Sequence, residues 1–383
     1  MSAPVADRAP LPQRVSPDGT RPALGVDSDP AAARPAWRHR DQRDAETATL
    51  QVSVVVPTYH RPALLRRCLA ALLRQDIDPE RYEILVADDA ASDQTRRQVE
   101  ALAEALCPCQ TGRGGPAIRY VAVRDRHGPA AARNAGWRLA RAPIVAFTDD
   151  DCVPQPGWLR AGLAALSDGV IGAWGRTIVP LPDHPTDYER DAAGLEDGVF
   201  LTANCFYRRD ALDVVGGFDE RFTAPWREDS DLFFSLLERV APNDKPGPFV
   251  QALDAVVVHP VRPAPWGVSL SQQRKSMFNA LLYKKHPRLY RERIQPAPPW
   301  RYYASVAALL LALLALLSGS RRGALAGASL WLWLTGRFCA QRLRDTSRDP
   351  RHVAEMLVTS ALIPPLSIYW RLRGAVTFRV VFL

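Results

Sequence analysis

Two phosphate-binding motifs are missing from this sequence of 383 residues. The first apolar run, residues 52–56, is followed by no G-x-G-x-x-G, and no G-x-x-x-x-G-K-S/T occurs elsewhere. Glycine-rich turns of these kinds let a backbone approach a pyrophosphate closely. Their absence argues against a dinucleotide-dependent dehydrogenase and against a P-loop enzyme.

Cysteine is scarce, with 6 residues in the chain. The only close pair is Cys107 and Cys109, and a C-x-C without a second pair is a weak zinc signal. The pattern is typical of reduced thiols in a cytosolic chain. Residues 1–49 contain no apolar core of signal-peptide length, so we expect no secretory leader. Their mixture of Ala, Pro, Arg and Asp has no periodicity and predicts disorder.

Nucleic-acid-binding motifs are also absent, although the net charge is +8. From Trp300 to the end there are 11 Arg and 3 acidic residues, so this part carries the whole excess of positive charge. The basic residues flank apolar runs. This distribution favours a membrane surface as the partner rather than DNA or RNA.

Strands and helices alternate along the first half of the chain. Apolar, largely β-branched runs predict strands at residues 52–56, 82–87, 118–123 and 144–147. Helical spacing of apolar residues follows Pro62 and Asp93, and residues 130–140 form a further predicted helix. The alternation predicts a doubly wound α/β fold.

Three consecutive carboxylates, Asp149, Asp150 and Asp151, come directly after the apolar run 144–147. We expect that run to be a strand buried on both faces, as in a parallel sheet. Ligands of open α/β sheets bind at the carboxyl ends of their strands. Adjacent anions repel one another unless a cation lies among them, and carboxylate oxygens suit Mg²⁺ or Mn²⁺. The alternative is a solvated acidic turn.

Several segments, in the same order along the chain, resemble the family-2 glycosyltransferases. These are inverting enzymes of GT-A fold, and the sequence resembles their membrane-attached bacterial type. The matching segments are VSVVVPTYHR, EILVADDAASD, GPAAARNAGWRLA, IVAFTDDDCVPQPGWL, GGFDERF and WREDSDLFFSLL. The resemblance implies a nucleotide-binding half at residues 50–160 and an acceptor half at residues 161–295. Residues 296–383 would then be membrane-associated helices, and residues 1–49 a tail.

The resemblance implies that Tyr59 stacks on the base of a nucleotide-sugar donor, that Asp88 and Asp89 contact its base edge or ribose, and that Arg133 lies near the nucleotide or phosphates. Asn204 resembles the residue of the loop under the donor sugar. The complete donor-binding set is Pro57, Thr58, Tyr59, Arg61, Asp88, Asp89, Arg133, Asp149, Asp150 and Asn204. The family motif D-D-x-S-x-D has Ala91 at its Ser position, so that loop's capping hydrogen bond is lost or made by Ser92.

The same resemblance divides the metal and catalytic roles. Asp151 would bind Mg²⁺ or Mn²⁺ directly, with Asp149 nearer the ribose and His259 a third ligand; a lone His is more often structural. Asp229 would be the general base that takes the acceptor hydroxyl proton, and Glu228 would orient it or contact the acceptor. The Q-x-x-R-W motif of processive synthases is not matched.

Apolar runs near the C-terminus predict membrane attachment. Residues 302–317 and 324–339 would form a hairpin with both flanks cytoplasmic, because the flanks are more basic than the Arg321-Arg322 loop. A third run, 353–370, is predicted to be broken by Pro364-Pro365 and to be re-entrant or interfacial. The tail 371–383 would lie on the surface. The alternative is a buried helical hairpin in a soluble domain.

These observations lead to one functional expectation with alternatives. The expected enzyme moves a sugar from a nucleoside-diphosphate donor to a hydroxyl of a glycan or lipid-linked acceptor at the cytoplasmic face of a membrane. A polyprenyl phosphate acceptor is the first alternative, and a non-catalytic membrane scaffold is the second. A sugar nucleotidyltransferase is disfavoured because its Gly-rich, Arg-bearing N-terminal loop is missing.

Overall fold

A computed structural model describes residues 50–106, 115–240 and 248–382 of the chain. The tail predicted at residues 1–49 and the Cys107/Cys109 pair lie outside these residues. Eight strands of the described part form one mixed sheet. They are β1 (Val52–Thr58), β2 (Tyr82–Asp88), β3 (Ala117–Ala122), β4 (Ile144–Phe147), β5 (Val153–Pro154), β6 (Gly172–Ile178), β7 (Cys205–Arg208) and β8 (Phe249–Val258).

Thirteen α-helices accompany the sheet in the described residues. The first ten are α1 (Pro62–Leu72), α2 (Asp93–Ala105), α3 (Pro129–Trp137), α4 (Trp158–Ala165), α5 (Asp187–Ala193), α6 (Arg209–Val215), α7 (Glu228–Val240), α8 (Val268–Gln272), α9 (Phe278–Lys285) and α10 (Pro287–Arg293). The last three are α11 (Trp300–Leu317), α12 (Arg321–Arg342) and α13 (Pro350–Phe378). A 3₁₀ helix, Gln273–Met277, joins α8 to α9.

The strand order is β3-β2-β1-β4-β7-β6-β8-β5. β1, β2, β3 and β4 are parallel, β7 is antiparallel to both β4 and β6, and β6 is parallel to β8. The carboxyl ends of β1, β2, β4 and β8 therefore lie at the same edge of the sheet. The expected α/β fold of GT-A type followed by C-terminal apolar helices is confirmed.

The strand β4 covers the predicted residues, and its side chains from Val145 to Phe147 are buried. Its surroundings differ from the expectation in one respect. β4 pairs in parallel with β1 on one side but antiparallel with β7 on the other. An apolar run shows burial on both faces and does not report the direction of its neighbours.

Alternate residues of β1 pack against helices on opposite faces of the sheet. Val54 and Val56 belong to the main core, which includes side chains of α1, α2 and α4. Between them, Val55 points to the other face, where α3 approaches so closely that a Cβ on Gly136 would lie 2.4 Å from the Val55 side chain. Glycine at this position lets α3 lie directly on the strand that leads to the acidic cluster.

Two C-terminal helices, α11 and α13, are long and apolar enough to cross a membrane. α11 and α12 pack as a hairpin through small residues, since a Cβ on Gly327 would lie 2.8 Å from the backbone nitrogen of Ala312. Close backbone approach of this kind is common between membrane helices. Most leucines of α11 are exposed, which is unlike a buried hairpin of a soluble core.

Two expectations about the C-terminal region are wrong. α13 runs unbroken through Pro364 and Pro365, because its neighbours hold the helix although each proline removes one backbone hydrogen bond. The expectation that the tail lies on the surface is wrong for its end, since Phe382 is buried against Tyr283 and Tyr290, although Leu372 and Val376 are exposed. Arg371 is also buried and stacks on the Phe382 ring at 3.7 Å.

Replacement of Gly136 tests the contact between α3 and β1. Gly136→Ala should lower the free energy of unfolding by about 1–3 kcal/mol, because the new methyl group overlaps Val55 in a packed core. Denaturant unfolding in detergent measures the change. Gly336→Ala in α12 is the control, since no atom lies within 4 Å of its Cβ position. Equal stability of the two variants would contradict the described packing.

Candidate active site

The ends of β1, β2, β4 and β8 place the predicted site residues at one edge of the sheet. Thr58 ends β1, Asp88 ends β2, and the acidic cluster begins two residues after β4. Strand β5 then turns back and pairs with the end of β8, with Val153 opposite Val258. This pairing brings Asp151 and His259 together, although they are 108 positions apart in the sequence.

Arg133 connects the acidic cluster to the second acidic motif. Its guanidinium donates to Asp149 Oδ1 at 2.7 Å and to Glu228 Oε1 at 3.0 Å. The side chain is buried and lies over the Phe218 ring at 5.9 Å. Burial alone would lower the pKa of Arg133, but the carboxylates of Asp149 and Glu228 hold that pKa above its ordinary value.

Glu228 and Asp229 begin helix α7 and differ in their surroundings. Glu228 is buried, whereas Asp229 is partly exposed and accepts a hydrogen bond from the Ser230 backbone at 2.6 Å. Burial raises the pKa of Glu228 to about 7, although Arg133 opposes the shift and Asp229 adds to it. The partly exposed Asp229 is the carboxylate of this pair that a substrate can reach. Asp231, in the same first turn, is buried, pairs with Lys285 at 2.7 Å and lies 3.2 Å from His286 Nε2.

Asp150 points away from its two neighbours. Its carboxylate accepts hydrogen bonds from Thr58 Oγ1 at 2.8 Å and from Arg61 at 3.1 Å. Burial raises the pKa of Asp150 to about 6, with Arg61 and Thr58 acting in the opposite direction. Asp150, Thr58 and Arg61 thus join the acidic loop to the end of β1, and the three aspartates have three different environments.

Asp151 and His259 form the candidate metal site. His259 Nε2 lies 3.5 Å from Asp151 Oδ1, and the ligand atoms of Asp151, Cys152 and His259 are all within 4.8 Å of one another. The buried His259 Nδ1 has no hydrogen-bond partner among the described residues. Burial raises the pKa of the Cys152 thiol, which disfavours the thiolate. The carboxylate and the imidazole fit a divalent cation better than the thiol does.

Asp88 has a different role from the predicted contact with a base. It is fully buried, and its carboxylate accepts hydrogen bonds from the backbone of Ala90 and Ser92 and from the Tyr120 hydroxyl. Those bonds shape the loop after β2, in which Ala91 has a positive φ of 46°. Ser92 makes the capping hydrogen bond that Ala91 cannot make, because its side chain accepts from the backbone N–H of Thr95 at the start of α2. We therefore revise Asp88 from a ligand contact to a loop support.

Asn204 also has a different role from the predicted one under the donor sugar. The side chain is buried and donates to the carbonyl groups of Arg176 and Ala255, both at 3.0 Å. Its oxygen accepts from the Trp158 indole at 2.8 Å. These carbonyls flank an irregularity in the β6/β8 pairing at Gly175 and Arg176. Asn204 satisfies the backbone there, and both of its amide hydrogens are used for this purpose.

Tyr59 and Asp89 lie where a nucleotide could reach them. The Tyr59 ring is 55% exposed and packs edge-on against His60. Asp89 is partly exposed, and its carboxylate accepts from the Gly128 backbone at 2.9 Å and lies 3.2 Å from His127 Nδ1. Pro57 is part of β1 itself, beside Ala87 of β2. The roles of Tyr59, Asp89 and Pro57 in donor binding stay predictions.

The comparisons with known proteins agree with this arrangement. Residues 53–217 match the model of the family described as glycosyl transferase family 2. This region is similar to the family-2 glycosyltransferases. The matched region begins in β1 and ends after α6, so it includes the acidic cluster but stops before Glu228.

Relatives of the domain act on different molecules. A validoxylamine A glucosyltransferase of Streptomyces hygroscopicus is 41% identical over 30% of this chain and 23% of that protein. The glycosyltransferase AglE of Haloferax volcanii is 29% identical over 45% of this chain and 57% of that protein. A GalNAc(5)-diNAcBac-PP-undecaprenol beta-1,3-glucosyltransferase of Campylobacter jejuni is 28% identical over 34% of this chain and 38% of that protein. The matches cover less than two thirds of each relative.

Two solved glycosyltransferase structures are similar to this chain at low sequence identity. A mannosyltransferase of Pyrobaculum calidifontis, in complex with GDP-Man and Mn²⁺, is 20% identical, with a TM-score of 0.47 and coverage of 86% of this chain and 87% of that chain. S. aureus TarS in complex with UDP-GlcNAc is 16% identical, with a TM-score of 0.44 and coverage of 82% and 91%.

The sequence did not predict two cations near the site, Arg262 beside Asp151 and Lys275 near Arg262 and Glu228. Arg262 Nε lies 3.0 Å from Asp151 Oδ2, three residues after His259. Lys275 is partly buried, and burial lowers its pKa, with the nearby Arg262 adding to the effect and Glu228 opposing it. An arginine soon after a strand-closing His is a usable signal for Arg262. Lys275 lies in the segment that lacks the tryptophan of a Q-x-x-R-W motif.

The loops that carry these residues contain strained backbone. His60, Ala91 and Arg227 all have positive φ, at 53°, 46° and 76°. Such conformations cost non-glycine residues about 1–3 kcal/mol each and persist where the surroundings impose them. One of the three follows Tyr59, one follows Asp89, and one precedes Glu228. These three are half of the non-glycine residues with positive φ in the described chain, and the others, Phe200, Asp345 and Arg379, lie elsewhere.

The buried Glu228 predicts a pH-dependent stability difference. Its folded pKa of about 7 lies above the ordinary value of 4.5, so the fold favours the protonated form. The wild type should therefore lose stability relative to Glu228→Gln as pH rises from 4.5 through 7, and the difference should be constant above that range. Denaturant unfolding of both proteins at several pH values measures it. Glu100→Gln, on the exposed face of α2, is the control. The prediction would be contradicted if the difference in unfolding free energy from the wild type did not change with pH for either variant.

Proposed function

We propose that this protein is a metal-dependent inverting glycosyltransferase that transfers a sugar from a nucleoside-diphosphate donor to a hydroxyl of a membrane-associated, lipid-linked acceptor. The observation that carries the proposal is the Arg133 bridge. It holds Asp149 of the acidic cluster and Glu228 of the acceptor motif on one guanidinium. Donor and acceptor chemistry need these two groups side by side.

The domain organisation proposed for this reaction follows the sequence expectation. Residues 50–295 form the transferase domain, with a nucleotide-binding half at 50–160 and an acceptor half at 161–295. Residues 296–383 form the membrane-associated part. The family match over residues 53–217 supports the first assignment, and the exposed apolar helices α11 and α13 support the last.

The donor half presents groups suited to a sugar nucleotide. The exposed Tyr59 ring offers an apolar face to a base. Asp149 is partly exposed, and its contact with Arg133 uses Oδ1. Asp151 and His259 would hold Mg²⁺ or Mn²⁺, which when bound would neutralise the diphosphate. Arg262, which is ion-paired to Asp151, is a second cation that could approach the same phosphates.

The acceptor half presents one accessible carboxylate. Asp229 would take the proton of the acceptor hydroxyl while that oxygen attacks the anomeric carbon. The bond from that carbon to the diphosphate oxygen breaks on the opposite face, so the configuration inverts. Glu228 stays buried and paired with Arg133, and through that pair it fixes the start of α7 relative to β4.

Two observations support a membrane-linked acceptor. The Campylobacter relative is named for an undecaprenol-diphosphate-linked acceptor. In this chain, α11 and α13 are apolar and exposed, and basic residues flank them. An enzyme attached to a bilayer meets lipid-linked acceptors without their leaving the membrane. Nucleotide sugars are made in the cytosol, so we place the transferase domain on the cytoplasmic face.

Replacement of Asp229 tests the general-base role. Asp229→Asn should reduce transfer to a hydroxyl acceptor about 10²–10⁴-fold, because the amide cannot accept the proton. Activity is measured as nucleoside diphosphate released from a panel of nucleotide sugars with lipid-linked acceptors. Asp213→Asn on α6, an exposed aspartate, is the control. Full activity of Asp229→Asn would favour the alternative polyprenyl phosphate acceptor, since a phosphate needs no base.

Donor binding tests the proposed metal ligands separately from turnover. Asp151→Asn and His259→Ala should each weaken the Mn²⁺-dependent affinity for a nucleotide sugar by at least about tenfold. Calorimetric titration with and without Mn²⁺ measures it, and Asp183→Asn in an exposed loop is the control. If no nucleotide sugar binds the wild type in the presence of Mn²⁺, the enzyme proposal fails and a non-catalytic membrane scaffold is favoured.

A further inference from the structure

The helix α13 has two different faces along its whole length. Its buried residues recur every three or four positions and therefore share one side of the helix. They are His352, Met356, Thr359, Ser360, Ile363, Pro364, Arg371 and Gly374. The opposite side is exposed, although the helix contains few charged residues.

The buried side of α13 contacts the transferase domain near both of its ends, and between them Thr359 and Ser360 accept hydrogen bonds from Arg342 of the α11–α12 hairpin. Near its start, Glu355 accepts a hydrogen bond from the Gly267 backbone at 2.7 Å. Further along, Gly374 packs on the 3₁₀ helix, where a Cβ would lie 2.4 Å from the Met277 carbonyl oxygen. At its end, Lys284 donates to the Phe378 carbonyl at 2.8 Å.

These contacts exclude a transmembrane path for α13. Its 29 residues span roughly 43 Å, more than the hydrocarbon thickness of about 30 Å. A helix that crossed the bilayer would have one end on each side. Both ends of α13 contact the same transferase domain, so a crossing would draw that domain into the hydrocarbon.

The exposed side of α13 is apolar. We call it the outer face of α13, and it consists of Leu357, Val358, Leu362, Pro365, Tyr369, Leu372 and Val376. Leu357 is 59% exposed and Val376 is 78% exposed, at positions almost the length of the helix apart. Such an extended apolar strip on a surface marks an interaction site.

The charges around the outer face have one sign. The exposed charged residues of α13 are Arg351 and Arg373, and Arg379 follows the helix. Arg373 donates to the Tyr369 hydroxyl at 3.2 Å, which places a cation and an aromatic hydroxyl together at the border of the strip. An apolar strip bordered by arginine and tyrosine is typical of a helix that lies in a membrane interface with anionic lipids.

We infer that α13 lies in the plane of the membrane interface, with its outer face in the acyl boundary, while the α11–α12 hairpin is the part that inserts. The inference rests on the membrane attachment of the proposed function, but not on the transfer reaction. It chooses the interfacial position over a spanning or re-entrant one.

The interfacial position of α13 also locates the active site. α13 packs on the 3₁₀ helix Gln273–Met277, and this helix carries Lys275. Lys275 is close enough to Arg262 and Glu228 to interact electrostatically with both. The candidate active site is therefore one short helix away from the membrane surface. An acceptor sugar attached to a lipid headgroup by a short link can reach it.

Spin-label depth measurements test the inference. Single cysteines replace Leu357, Leu362, Tyr369 and Val376 in the full chain with Cys107 and Cys109 changed to serine. The labelled proteins are reconstituted in vesicles of phosphatidylcholine and phosphatidylglycerol. Oxygen and nickel collision rates then give the depth of each label. All four labels should lie about 5–10 Å below the headgroups, at the same depth within a few ångströms.

Two control labels calibrate the depth scale. A label at Glu100 on α2 should stay in water, and a label at Leu314 on α11 should lie deep in the hydrocarbon. A profile with Leu362 deep and both Leu357 and Val376 in water would show a spanning helix and overturn the inference. Four labels in water would overturn it as well, because α13 would then not touch lipid.

A binding assay separates this inference from the proposed reaction. Leu362→Asp should move the labels at Leu357 and Tyr369 several ångströms toward the headgroups, while its calorimetric affinity for the nucleotide sugar in detergent stays at the wild-type value. Ser367→Asp, at a less exposed position of the same helix, is the matched control for the added charge. A wild-type protein that shows the interfacial depth profile but binds no donor would refute the proposed function and leave the membrane position intact.

Discussion

Arg133 carries the one positive charge that Asp149 and Glu228 share. Arg133 is buried, and an unpaired charge in a buried place costs several kcal/mol, so the guanidinium needs these carboxylates as partners. The planar guanidinium suits this task, because its nitrogens can donate to two carboxylates in different directions. The acidic loop after β4 and the first turn of α7 are therefore positioned relative to each other by one side chain on α3. Both sides of the proposed reaction depend on that bridge.

The sheet positions the other residues of the site relative to one another. Parallel strands β1, β2 and β4 end at one edge, and β5 pairs back on β8 so that His259 meets Asp151. The close packing of Gly136 on Val55 then places α3, and with it Arg133, against the same edge. The polar residues of the site come from segments far apart in the chain. Their mutual distances follow from strand register rather than from local sequence.

The sequence predicted the alternating strands and helices and the position of the acidic cluster, because these depend on apolar periodicity and on short local motifs. It did not predict the roles of Asp88 and Asn204. Both are polar residues in motif positions, and only the folded structure shows that their hydrogen-bonding capacity is used internally. Arg133 and Glu228 were recognised separately, but their ion pair joins residues 95 positions apart. The helix through Pro364 and Pro365 was missed because tertiary contacts there outweigh the local preference of proline.

The C-terminal helices are not a detachable anchor. Arg342 pairs with Asp187 of α5 at 2.7 Å, and Phe382 fills a space between Tyr283 and Tyr290. A chain shortened after residue 295 would leave these partners bare and would expose the surface of the 3₁₀ helix that now contacts Gly374. Removal of the lipid-binding part would therefore not yield a soluble enzyme with an intact core. For this protein, the usual separation between a catalytic module and its tether does not hold, and solubilisation has to keep the whole chain.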